Sequence, residues 1–160
     1  MTGNDGFSST EGSIVLSVLS NPEDWWMSPA DYARRLSGLT VNLLSRDVEA
    51  VVPFHTRVLG ATAEYVCVDF ASFAFGEATW MVHADHTYDG HPLHSSLGAG
   101  HLRGTGAELR LHGRDPDAAC QAAGELGATI IEPATTKPHG TREAFILDPD
   151  GYLWVPDILA

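Results

Sequence analysis

Two stretches decide the fold: Arg46-Asp47-Val48-Glu49-Ala50 with Leu59-Gly60-Ala61-Thr62, and Arg114-Asp115-Pro116-Asp117-Ala118 with Leu126-Gly127-Ala128-Thr129. The second repeats the first at an offset of 68 in the opening piece and 67 in the closing one, so two units keep their spacing to within one residue. A third match lays residues 73–85 against 145–157 at an offset of 72. A repeat at this period means one supersecondary unit used twice. Asp47 and Asp115 have the side chain of an N-cap, and Pro116 stands at the first helical position, where its missing amide is not needed. Gly60 and Gly127 stand where a left-handed residue closes a helix. Helices are therefore expected at about 48–59 and 116–126, with Pro53 a conflict that kinks the first or loosens its turn.

Around the helices the apolar period changes to two. Alternating runs at 39–44 and 107–112 read as strands with one dry face, and three more β-like runs follow each glycine: 61–68, 71–76 and 79–85, then 128–134, 141–147 and 152–157. Asp148-Pro149-Asp150-Gly151 is a turn between the last two. The fold class is thus α+β, two tandem βαβββ modules whose curled mixed sheets enclose a cleft. The expected layout is an N-terminal extension over 1–37, a first module over 38–85, a linker over 86–105 and a second module over 106–160. Residues 1–12 read as disordered, 13–19 as a strand or short helix, and 29–36 as a helix capped by Ser28. Trp25-Trp26-Met27 is expected to pack on the repeat body or a second subunit, or to form a lid.

Composition narrows the function. Nine basic residues, of which only Lys137 is a lysine, stand against 21 acids, a net charge of −12. Such a chain repels a nucleic-acid backbone and attracts a cationic small molecule. The apolar runs fall well short of a membrane span of about 20 residues, and the segment at 13–19 lacks a basic leader, so a soluble protein without secretory signal is expected. Cys67 and Cys120 lie in apolar runs without a C-x-x-C pattern and read as buried thiols of a reducing cytoplasm. Nucleophile patterns and phosphate-binding glycine loops are lacking in the sequence.

Strand alternation names the residues that would line the cleft. Thr40 and Asn42 share a face of one strand; Glu108, Arg110 and His112 share a face of its repeat. Met81, His83 and Asp85 lie opposite Trp80 and Val82; Leu153, Val155 and Asp157 lie opposite Trp154. Five of the eight histidines, His83, His86, His91, His94 and His101, fall between positions 83 and 101, but their spacing matches no closed metal motif and reads as solvated loop. Lys137-Pro138-His139 is read in the same way.

The tandem repeat, the Asp caps, the Leu-Gly-Ala closures and the run Gly140-Thr-Arg-Glu-Ala-Phe-Ile-Leu-Asp-Pro-Asp-Gly151 resemble the vicinal oxygen chelate superfamily, which includes glyoxalase I, extradiol dioxygenases, fosfomycin-resistance enzymes and bleomycin-binding proteins. The resemblance covers about residues 38–158. In the superfamily's enzymes one first-strand and one last-strand residue of each module hold a divalent metal. Here the positions implied are Thr40, His83, Glu108 and Val155, with His83 placed through the offset of 72. Only His83 and Glu108 are competent ligands, suited to Zn, Mn, Ni or Fe, and catalytic zinc needs three. That departure resembles the bleomycin-binding branch. The resemblance therefore implies a homodimeric small-molecule binder that sequesters a cationic compound in the inter-module cleft. The alternative it implies is a metal-dependent lyase, isomerase or dioxygenase with an altered ligand set. There a linker histidine, Asp85 or a partner residue would be the third ligand, and His112 or Glu143 would move protons.

Overall fold

The computed structural model describes residues 27–92, 94–97 and 103–160. The expectations for 1–12 and 13–19, and for Trp25, Trp26 and His101, lie outside them. Helix α1 spans Pro29–Arg35; Ser28 caps it, its hydroxyl accepting from the Asp31 amide at 3.1 Å. The first module then runs β1 (Val41–Ser45), α2 (Val48–Pro53), β2 (Thr62–Val66), β3 (Phe70–Phe75) and β4 (Ala78–Ala84). The second runs β5 (Leu109–His112), α3 (Pro116–Leu126), β6 (Thr129–Thr136), β7 (Thr141–Leu147) and β8 (Leu153–Leu159). The two sheets have the same order, β1-β4-β3-β2 and β5-β8-β7-β6, with the outer pair parallel and the rest antiparallel. The repeat is thus a repeat of βαβββ topology, as expected.

The caps act as their side chains allow. Asp47 accepts from the Ala50 amide at 3.0 Å, and Asp115 from those of Asp117 and Ala118. Gly127, at φ 68°, closes α3 in the left-handed region that a side chain disfavours. Pro53 does not break the first helix. The chain passes into a single π turn, Phe54–Val58, where the Thr56 hydroxyl donates to the Val52 carbonyl at 2.9 Å. The local widening buries Phe54, His55 and Val58 together.

Both sheets turn their helix-facing sides to one core. Leu43, Phe73, Trp80 and Val82 of the first module and Leu111, Ala144, Ile146 and Trp154 of the second are buried in it with residues of α2 and α3. The Leu, Val, Ile and Phe side chains among them each contribute about 1.5–3 kcal/mol on leaving water. His55 lies at the centre, fully buried, stacked on Phe73 with centroids 4.5 Å apart and edge-on to Trp154. The modules are also stitched by polar contacts. Tyr152 Oη donates to the Leu44 carbonyl on the open edge of β1 at 3.1 Å, and Arg114 donates to the Val58 and Arg57 carbonyls that end the π turn.

The chain enters the second module through a tight passage. The Arg103 and Gly104 amides donate to the Asp150 and Gly151 carbonyls, both at 3.3 Å, and a Cβ on Gly104 would stand 2.8 Å from the Tyr152 Cα. Backbone cannot yield as a flexible side chain does. Gly104→Ala is therefore expected to cost about 1–3 kcal/mol, read as a lowered urea midpoint with unchanged slope.

Candidate functional site

The faces turned away from the shared core carry the residues picked out by alternation. On the first sheet the register aligns Asn42, Met81, Ser72 and Tyr65 in one row across β1, β4, β3 and β2, with Leu44, His83 and Phe70 in the next. His83 Nδ1 is 2.7 Å from Asn42 Oδ1, and Asn42 Nδ2 donates to Tyr88 Oη at 2.8 Å. The Asn42 carbonyl oxygen only accepts, so it fixes the His83 tautomer with the proton on Nδ1 and the lone pair on Nε2. Burial pushes the His83 pKa below its ordinary value, which keeps the ring neutral. Phe70 and Tyr88 pack against it at 4.7 and 5.2 Å. Thr40 is half-buried just before β1. Asp85 lies elsewhere: it forms a two-bond fork with Arg103, at 2.5 and 2.6 Å, at the junction of the modules.

The second sheet carries an ion-pair network. Arg110 donates to Glu143, to Glu108 at 3.2 Å and to Asp157 at 3.3 Å, and His112 Nδ1 is 2.8 Å from Asp157 Oδ1. Glu143 also accepts from the Thr141 hydroxyl at 3.2 Å and has His139 at 3.6 Å. Glu143 and Asp157 are buried, whereas His112 and His139 are largely exposed. Burial alone would raise the Glu143 carboxyl, but the hydrogen bond and charge of Arg110 outweigh it and hold the group below the usual carboxylate range. Val155 is fully buried on the same face, opposite Arg110.

The strand registers revise one step of the repeat arithmetic. Leu43 of β1 pairs with Val82, and its counterpart Leu111 of β5 pairs with Pro156. The last strands therefore correspond at an offset of 74, which also matches Trp80 with Trp154. Phe73 corresponds to the buried Ile146 and not to Phe145, since each faces its tryptophan across the hairpin. A slip of one residue changes the face. Val155 thus has Met81 as its counterpart, and His83 has Asp157.

This bears on the metal that the fold family implies. With Met81 in place of His83 as the counterpart of Val155, the positions that the resemblance implies become Thr40, Met81, Glu108 and Val155, with one ionisable donor, and Glu108 is paired with Arg110. Among the described residues no group of three or more His, Cys, Asp or Glu is placed to hold a metal ion. The described residues of one chain therefore do not fit a three- or four-ligand centre. Sequence reasoning also missed Ser72 and Tyr88, whose only signal was a small polar residue in an apolar strand and an aromatic among loop histidines.

Within one chain the two faces do not face each other, since the shared core lies on their other sides. Module one's face is covered by α1 and by the 3-10 turn Asp85–Tyr88; module two's carries its own ion pairs. A separate groove of about 540 Å³ opens on the helix side, between α2, the end of α3 and the Asp148 turn. Its buried acids are already satisfied. Asp148 accepts from the Asp150 and Tyr152 amides and from Trp154 Nε1, and Asp150 from Arg46.

Residues 39–155 match the glyoxalase/bleomycin resistance protein/dioxygenase superfamily. The chain belongs to this superfamily. Solved structures agree on the fold. A glyoxalase/bleomycin resistance protein/dioxygenase family enzyme from Burkholderia phytofirmans PsJN is 19% identical, with a TM-score of 0.62 over 76% of this chain and 97% of that one. TioX from Micromonospora sp. ML1 is 26% identical, with a TM-score of 0.55 over 78% and 97%. The fosfomycin resistance protein FosX from Mesorhizobium loti is 16% identical, with a TM-score of 0.56 over 78% and 94%. No curated protein sequence matches the chain. Among the described residues no helix is long and apolar enough to cross a membrane.

Proposed function

We propose that the protein binds a cationic aromatic small molecule, without metal and without turnover, in a cleft formed when the first-module face of one protomer lies over the second-module face of its partner. The observation that carries this reading is the charge count on the second face. Glu143, Asp157 and Glu108 share one guanidinium, that of Arg110. A partly desolvated surface with surplus negative charge favours a cation. Tyr88 and Phe145, both half-buried, supply rings for stacking or cation–π contact, and Lys137 Nζ already lies 5.3 Å from the Phe145 ring centroid. The superfamily's name includes bleomycin resistance, which supports binding of a toxic compound as the role. A cytoplasmic homodimer is part of the proposal. Sedimentation of a monomer at high micromolar concentration would count against it.

Glu143→Gln keeps shape and removes one charge. It is expected to weaken binding of a cationic aromatic drug at least about ten-fold, or 1.4 kcal/mol, while Arg110→Gln tightens it. Isothermal titration of both variants reads the two signs, and equal affinities in parent and variants would refute the electrostatic account.

A further inference from the structure

We propose that the place the Tyr32 phenol fills beside Ser72 is a subsite for a phenolic hydroxyl group of a ligand, and that Tyr32 of α1 is its built-in competitor. This rests on the small-molecule reading above and names the part of the ligand that the first-module face takes. Ser72 is fully buried on β3, on the same face as Met81 and His83. Its Oγ lies 3.2 Å from Glu64 Oε2 and 3.1 Å from Tyr32 Oη. A hydroxyl has one proton to give, and a carboxylate only accepts. The Ser72 proton therefore goes to Glu64, and the Ser72 lone pair receives the phenol O–H of Tyr32. The same arrangement rejects an ether, which has no proton to donate, and disfavours a phenolate, which would face Glu64.

The walls fit a ring. Tyr32 meets Phe70 edge-on, with centroids 5.7 Å apart at 77°, within a cluster of Tyr65, Cys67, Phe70 and Met81. Aromatic rings prefer this geometry. The helix that delivers Tyr32 has seven residues, none of them buried. A helix of two turns is not stable by itself, so its docking is what holds it, and a ligand carrying the same group competes for the place of Tyr32. Met81, Asn42 and His83 continue the face beyond Ser72, so the rest of a larger ligand has a surface on which to lie.

The test is a titration with 4-methylphenol, which is the tyrosine side chain itself, and with 4-methylanisole, its methyl ether, following the Met81 methyl resonance. Tyr32→Ala is expected to bind 4-methylphenol at least ten-fold tighter than the parent does and at least ten-fold tighter than it binds 4-methylanisole. Adding Ser72→Ala should erase the preference. In the parent, saturating 4-methylphenol should speed amide exchange in α1. Should Tyr32→Ala fold poorly, Tyr32→Phe, which keeps the ring and loses the hydroxyl, should still bind several-fold tighter than the parent. Equal affinity in parent and variants, or equal affinity for phenol and ether, overturns the proposal. Failure of every cationic drug with this discrimination intact would refute the binder reading alone, and binding of those drugs without discrimination would refute the subsite alone.

Discussion

Replacing His55 with alanine is expected to destabilise the protein by about 3–5 kcal/mol, the cost of deleting a fully buried ring. The residue touches both modules: it stacks on Phe73, meets Trp154 edge-on, and accepts the Trp80 indole N–H at Nδ1 over 3.1 Å. Alanine leaves a cavity there and an unpaired indole donor. His55→Phe keeps the ring and should cost about 1 kcal/mol or less, because the donor it strands replaces one already stranded: His55 Nε2 has no hydrogen-bond partner among the described residues. Urea unfolding at pH 7.5 checks both values.

The same residue sets a pH dependence. Burial lowers the His55 pKa from 6.5 to about 3, so its contribution is complete above pH 6.5 and is lost as pH falls toward 3, about 5 kcal/mol in all at 1.36 per unit. Asp148 acts in the opposite sense. Burial raises its carboxyl from 3.8 to about 6, so its contribution is present below pH 3.8 and lost as pH rises through 6, about 3 kcal/mol in all. Between pH 6 and 4 the two nearly offset one another. His55→Phe removes one side of that balance, so it should gain about 2–3 kcal/mol relative to the parent between pH 6 and 4. Parallel denaturation at the two pH values reads it, and identical profiles would contradict the assignment.

Arg103→Met is expected to cost about 3–5 kcal/mol, since it removes the cation from a buried pair and leaves the anions behind. The side chain is only 3% exposed and joins four places: both oxygens of Asp85, the Leu44 carbonyl at 2.8 Å, the Leu97 carbonyl at 3.4 Å and Asp150 at 3.6 Å. Asp85→Leu in the Arg103→Met background should recover part of the loss, because one stranded carboxylate is then gone. A double-mutant cycle in urea measures that coupling.

The βαβββ repeat, the Asp caps, the closing glycines and the outward faces were legible because each depends on residues close in sequence. What was not legible depends on how elements meet. Pro53 produced a π turn because its surroundings bury His55 between two modules, which no local pattern reveals. The match of Phe73 to Phe145 slipped by one because β2 and β6 carry bulges and the β7–β8 turn is longer than the β3–β4 turn. Repeat offsets count residues, whereas faces follow pairing. Arg103 lay in a stretch read as linker. Asp85 read as a cleft residue by alternation, but Arg103 draws it to the module junction. On the second sheet, alternation put Glu108, Arg110 and His112 on one face and Asp157 on a face of β8, whereas their joining through Arg110 to Glu143 and Asp157 depends on strand pairing.

The proposed role of this superfamily member is to bind a cationic aromatic ligand without a metal. Isothermal titration of chelator-treated protein against a panel of cationic glycopeptide and aromatic drugs tests it most directly. The account predicts micromolar binding of at least one member, at one ligand per protomer, unchanged by chelator, weakened by salt and lost by ten-fold or more in Glu143→Gln. Absence of any binding tighter than millimolar, or binding that appears only after zinc, manganese, nickel or ferrous iron is restored, would contradict it.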